Sequence, residues 1–256
     1  MVKRIDFNAD IGESFGSYQL GLDTEIVKYI SSANIAAGFH AGDPNWMRKT
    51  VLLAEENGLG IGAHPSYPDL NGFGRREMTL PPYEIYNVVT YQIGALAAFV
   101  KGHKLRHVKP HGAMYNTAVK DAAVAKAIVD SIYDYDSTLI HVVLAGSIWE
   151  KIAREKGALV ARECYADRAV NNDGTLVSRN LEGAVIHDPN KVIERSVKLV
   201  LDGNVETITG ELINFEADTI CLHGDTNGSV ELARLLREEF ESQGIKITKL
   251  SKMFPS

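Results

Sequence analysis

The chain has 256 residues, a hydrophobic fraction of 45% and a formal net charge of −6. That length approaches the roughly 250 residues of a one-domain α/β barrel, and the mixed, net-negative charge excludes the basic footprint of a nucleic-acid binder. The two cysteines, Cys164 and Cys221, are far apart, which fits a reducing cytosol and excludes a zinc ribbon. The N-terminus shows no signal-peptide pattern and no apolar run reaches membrane-span length, so a soluble, cytoplasmic chain folding as one domain over residues 1–256 is expected.

In chain order, Lys3 to Ala9 reads as a first strand, with Asn8, Asp10 and Glu13 at its end. Leu22, Ile26 and Ile30 then recur at helical spacing. Ser31 to Asp43 (SSANIAAGFHAGD) reads as strand, glycine-containing loop and helix start, because Asp43-Pro44 supplies a capping carboxylate and a proline suited to the first turn. The helix presents Met47, Val51 and Ala54 on one face and stops at Gly58. Leu59 to Ala63 is a third strand delivering His64, followed by the long loop HPSYPDLNGFGRR, whose length points to function. Pro81 opens a helix through Ile85, Val89, Gln92, Leu96 and Phe99.

A short fourth strand over Arg106–Lys109 yields KPHGAMYN, and Val124, Ile128 and Ile132 mark the next helix. Leu139 to Ala145 has the continuous apolar character of a buried parallel strand. Ser147 and Glu150 form a capping-box pattern into a helix ending at Gly157. Leu159 to Glu163 is strand six, and the polar segment after it turns at Asn172-Asp173-Gly174. Asp188-Pro189 starts a helix with Val192, Ser196, Leu199 and Val200 inward, and Val205 to Phe215 reads as a hairpin. Thr219 to Leu222 is strand seven, giving HGDTNGS and a last helix through Leu232, Leu236 and Phe240, with Ile245 to Leu250 as a short closing strand. About seven alternating strand–helix units argue for a parallel sheet. With no dinucleotide-binding opening, a closed or nearly closed (β/α)7 barrel is favoured over an open sheet.

In such a barrel the C-terminal strand ends share one face, where active sites lie. Asp10, Glu13, His40, His64, Lys109, His111, Glu163, Asp167 and His223 fall there and form the catalytic candidates. Asn34, Arg75, Arg76, Arg168 and Asp225 join them as binding candidates, the arginines because a guanidinium suits carboxylate or phosphate. Asp43 and Asp225 also read as helix caps, and Glu163 as the ion-pair partner of Arg168. His103, His107, His141 and His187 lack this context and are taken as structural or surface residues. Asp and His at adjacent strand ends can hold a divalent metal that activates water, or serve as base and acid with Lys109 stabilising charge on a carbonyl oxygen. No nucleophile elbow, phosphate loop or H-E-x-x-H motif occurs. The residues alone thus point to a hydrolase-like barrel acting on a carbonyl compound, with or without a metal.

Several stretches resemble a known family. NADIGESFG, SANIAAGFHAGDP, GAHPSYPDLNGFGRR, YQIGAL, VKPHGAMYN, ADR, DGTLVSR and HGDT, in order over essentially the whole chain, resemble the LamB/YcsF family, the A subunits of prokaryotic 5-oxoprolinase. The chain departs from that pattern at Ala37, where the family usually has cysteine. The resemblance implies a (β/α)7 barrel of the glycoside hydrolase/deacetylase type. It implies ATP-dependent opening of the lactam 5-oxo-L-proline to L-glutamate, with ATP converted to ADP and phosphate. It also implies B and C subunits as partners and Mg accompanying the ATP cosubstrate; a homo-oligomer is compatible with the sequence. On this view Arg75, Arg76 and Lys109 suit an anionic substrate or phosphate, and His40, His64 or His111 supplies the base. Two rival readings are a metal-dependent deacetylase of an N-acyl or sugar substrate, with Asp10, His40 and His64 as metal ligands, and a non-catalytic lactam- or carbohydrate-binding subunit.

Overall fold

The computed structural model describes residues 2–222 and 228–255. Seven parallel strands close into a barrel: β1 (Arg4–Ile11), β2 (Ser32–Ala36), β3 (Gly60–His64), β4 (His107–Val108), β5 (Ile140–Leu144), β6 (Leu159–Tyr165) and β9 (Thr219–Leu222). Before β9 comes an antiparallel hairpin of β7 (Asn204–Glu206) and β8 (Leu212–Asn214). Closure is direct, since β9 pairs with β6 on one side and with β1 on the other, where Asn8 faces Cys221.

Helices α1 (Asp23–Ile26), α2 (Pro44–Glu56), α3 (Pro82–Ala97), α4 (Gly112–Ala118), α5 (Ala122–Tyr135), α6 (Ile148–Lys156), α7 (Pro189–Asp202), α8 (Ser229–Ser242) and α9 (Leu250–Met253) accompany the strands. Their starts follow from local chemistry. The Asp43 carboxylate accepts from the Asn45 and Trp46 N–H groups at the head of α2, and Asp188 does the same for Asn190 at α7. Ser147 caps α6, and the left-handed Gly157 ends it.

The strands have two unlike faces, as their period of two requires. Ile5, Phe7, Ala9 and Ile11 of β1 are buried in the apolar shell between barrel and helices, with Phe7 edge-on to Phe240 of α8. The alternating set Asp6, Asn8 and Asp10 bonds to side chains of other strands inside the barrel. Asp6 accepts from the hydroxyls of Ser31, Ser32 and Thr219 at 2.5–2.7 Å, and Asn8 donates to Thr219 at 2.6 Å. A polar interior of this kind is tolerated because these side chains hydrogen-bond one another across the barrel. Gly62 makes one of these bonds sterically feasible: a Cβ built on it would lie 2.2 Å from His107 Nε2. Its missing side chain is the space through which His107 reaches Asn34 Oδ1, at 2.8 Å.

The structure departs from the sequence reading in several details. The helix anticipated across Leu22 to Ile30 is only the single turn of α1. After the fourth strand, α4 begins at Gly112, one residue after His111, so most of KPHGAMYN is helical. Phe99 lies beyond the end of α3. Residues 245–250 do not close the barrel: among the described residues β10 (Lys246–Ile247) pairs with Arg4 and Ile5 of β1, while β9 makes the closure. The chain then enters α9, whose Leu250 packs with Ile140, Val142 and Ala161. Among the described residues no helix is long and apolar enough to cross a membrane.

Candidate active site

The C-terminal strand ends converge as the barrel geometry demands. Glu13 follows β1, His40 lies in the β2–α2 loop, His64 is the last residue of β3, and His111 follows β4. All four are buried, and one potential ligand atom from each lies within 4.8 Å of the others. This Glu/His3 group could hold a metal ion.

Two of its rings are anchored from behind. His64 Nδ1 donates to the Lys109 carbonyl oxygen at 2.5 Å, and His111 Nε2 donates to the Phe73 carbonyl oxygen at 2.9 Å. The remaining nitrogens, His64 Nε2 and His111 Nδ1, face each other at 2.9 Å. His40 stacks on His111 with ring centroids 3.9 Å apart and places Nε2 3.1 Å from Glu13 Oε1. Burial, followed by repulsion from His64, holds His40 well below the usual histidine pKa; burial, His40 and His64 do the same to His111. His40 and His111 are therefore suited to act as neutral bases or ligands.

Beneath the rings lies a charged centre. Lys109 Nζ reaches Asp10 Oδ1 at 3.0 Å, Glu163 Oε1 at 3.0 Å and Cys221 Sγ at 2.9 Å. Burial works against its charge, but Asp10, Cys221 and Glu163 outweigh it and keep Lys109 well above the ordinary lysine pKa. Burial raises the Cys221 thiol well above its usual value, against the opposing pull of Lys109. Asn34 donates to Asn8 Oδ1 at 2.7 Å and to Asp10 Oδ1 at 2.8 Å, while its own carbonyl accepts from His107. Asp10 Oδ2 stands 3.4 Å from His64 Nε2, linking the charged centre to the rings.

Above the rings a cavity of about 820 Å³ is lined by Asp10, His64, His111, Arg75, Arg168 and Arg179, among others. Its arginines suit an anion. The Arg75 guanidinium lies 5.0 Å from the centre of the Phe73 ring. Arg168 is buried and donates to the carbonyls of Ala184 and Val177, bracing the loop that carries Arg179. Burial and Arg179 push its pKa down to about 10.

Not every residue singled out in the sequence joins this site. Asn34 has its amide engaged by protein partners, so it orients Asp10 rather than facing the cavity. Arg76 pairs with Asp69 and does not line the cavity. Glu163 pairs with Lys109 rather than Arg168. Asp167 is buried beside Arg168 and also lies off the cavity wall. Asp10 stands next to the Glu/His3 group rather than within it, whereas Glu13 and His111 belong to it. His223 and Asp225 lie outside the described residues.

The sequence candidates lack Cys221, which contacts Lys109, and Tyr165 and Arg179, which line the cavity. His107, read from sequence as structural or surface, is buried and bonded to Asn34, and its place two residues before Lys109 puts both side chains on one face of a strand.

The chain belongs to the LamB/YcsF family, whose model matches residues 5–254. The A subunit of 5-oxoprolinase from Pyrococcus furiosus is 55% identical over 246 residues, covering 95% of this chain and 96% of its own. The crystal structure of the Thermus thermophilus lactam utilization protein superposes with a TM-score of 0.92 at 43% identity, covering 96% of this chain and 100% of that one. A family 4 carbohydrate esterase from Streptomyces lividans, with a TM-score of 0.51 and 9% identity over 98% of this chain and 94% of that one, shares the fold alone. The relatives support a hydrolase role in the use of 5-oxoproline.

Proposed function

We propose that this chain is the barrel component of a cytoplasmic, ATP-dependent 5-oxoprolinase, working with B and C subunits to open 5-oxo-L-proline to L-glutamate. The observation that carries the reading is the meeting of a buried histidine–carboxylate centre with an arginine-edged cavity, in a chain 55% identical to the A subunit of a 5-oxoprolinase. The substrate's carboxylate suits Arg75 and Arg179, and its lactam carbonyl suits the end of the cavity where Asp10, His64 and His111 emerge.

A five-membered lactam is a stable amide, which supplies the reason for ATP. Transfer of the γ-phosphoryl group to the lactam oxygen releases ADP and makes the ring carbon electrophilic. Water adds to that carbon, a histidine takes its proton, and the C–N bond breaks with the ring nitrogen leaving as the amine. The resulting acyl phosphate is hydrolysed by a second water to L-glutamate and phosphate. His64 or His111 is suited to the role of base because both rings border the cavity. Lys109, held charged beside Asp10, favours negative charge developing on the substrate oxygen.

The test is 5-oxoproline-dependent release of ADP and glutamate, by this chain alone and with its partner subunits, using Mg-ATP. Activity of the complex that is lost in both His64→Ala and His111→Ala is expected; wild-type turnover in both variants would sink these assignments.

A further inference from the structure

We infer that Glu13, His40, His64 and His111 form a resident site for a divalent first-row transition ion of the zinc type, distinct from any Mg that accompanies a nucleotide. The carrying observation is the facing pair of nitrogens. A carbonyl oxygen can only accept, so the bonds to the Lys109 and Phe73 carbonyls place the protons of the two rings on His64 Nδ1 and His111 Nε2. The nitrogens not committed to a carbonyl, His64 Nε2 and His111 Nδ1, face each other across 2.9 Å, the placement of two ligands that share one cation.

A metal ion uses both lone pairs at once. Metal-bound histidines characteristically donate their other ring N–H to a carbonyl or carboxylate, which is the arrangement of both rings here. Two ligands about 2.1 Å from a common ion stand roughly 3.0–3.4 Å apart, close to the separation seen. Glu13 adds an anionic oxygen 3.6 Å from His111 Nδ1 and 3.1 Å from His40 Nε2, so the third ring and the carboxylate are already gathered at the same centre.

A proton shared between the rings would satisfy the lone pairs but would bring together neither Glu13 nor His40. The ligand chemistry selects the ion: three imidazoles and one carboxylate suit zinc, cobalt or iron, whereas magnesium prefers oxygen ligands and retained waters. When bound, such an ion would occupy the His64 Nε2 and His111 Nδ1 lone pairs and supply Lewis-acid polarisation of a carbonyl or activation of water in place of a free histidine base. Asp10, beside His64 but outside the ligand group, holds that ring's surroundings in place.

This inference deepens the lactam-opening reading but is tested without it. Full-length protein purified without chelator is analysed for metal content, then stripped, titrated with Co(II) and followed by its visible absorption. About one tightly held ion per chain is expected, together with ligand-field bands and a rise in melting temperature on adding back Zn(II). Double substitution His64→Ala/His111→Ala is expected to lower the bound ion at least tenfold, while Asp43→Ala binds like wild type. Because the histidine variant can fail to fold, the overturning result is set on wild type. A stripped, folded protein that takes up neither Zn(II) nor Co(II), with an unchanged melting temperature, refutes the metal site. Metal binding with no turnover of 5-oxoproline by the complex would refute only the lactam reading.

Discussion

Lys109 Nζ lies 3.0 Å from Asp10 Oδ1 and 3.0 Å from Glu163 Oε1, joining β1 and β6 through the middle of the barrel. All three side chains are almost wholly shielded from water. Removing one partner of a buried pair leaves an uncompensated charge, so Lys109→Met is expected to destabilise by about 3–5 kcal/mol. Urea unfolding followed by circular dichroism measures this. The double variant Lys109→Met/Glu163→Leu should recover part of the loss, since one of the orphaned carboxylates is gone.

Asp43 is placed as a cap rather than a catalyst. Its carboxylate accepts from the backbone N–H groups of Asn45 and Trp46, and also from Gly16 at 2.7 Å. Burial opposes its charge, but the three bonds together outweigh that and lower its pKa. Asp43→Ala should cost about 1 kcal/mol of stability and leave ADP and glutamate release by the complex unchanged. A collapse of turnover with intact stability would return Asp43 to the site.

Asp6 gives the fold a pH dependence away from the rings. Burial raises its pKa to about 6, against opposing hydrogen bonds from Ser32, Thr219 and Ser31. Between its unfolded value near 3.8 and about 6, the native state binds the proton more firmly than the unfolded chain. Stability contributed by this group is therefore full below the lower value and is lost as pH rises through the window, by about 3 kcal/mol in all. Comparing wild type with Asp6→Asn by urea titration at several pH values should show wild type losing ground to the variant from pH 4 to 6, then a constant difference. A difference that does not change with pH would contradict the assignment.

Gly74 sets the rings from behind. It has φ +63°, and a Cβ there would meet Ser66 Oγ at 2.2 Å, His40 Cβ at 2.8 Å and His111 Cδ2 at 2.9 Å. Gly74→Ala should displace His40 and His111 and lower the turnover of the complex on the order of 100-fold. Gly58→Ala is the control, because φ there is +63° but the nearest neighbour is the Lys249 Nζ at 3.9 Å. It should cost about 1 kcal/mol in stability without comparable loss of turnover.

The order of strands and helices, the helix caps at Asp43, Ser147 and Asp188, and the gathering of His40, His64 and His111 at one face were all legible in the chain, because each depends on local spacing and local hydrogen bonding. Period-two and helical patterns repeat within a few residues and need no knowledge of distant partners. What tertiary structure decided is who meets whom across the barrel. Glu163 takes Lys109 instead of the nearby Arg168, Arg76 turns away to Asp69, and Glu13 and His111 replace Asp10 in the Glu/His3 group. Asn8, His107 and Cys221 become parts of the centre only when strands far apart in sequence close on one another. Register and closure fix those contacts, and both arise from pairing between strands, which no single stretch of sequence encodes.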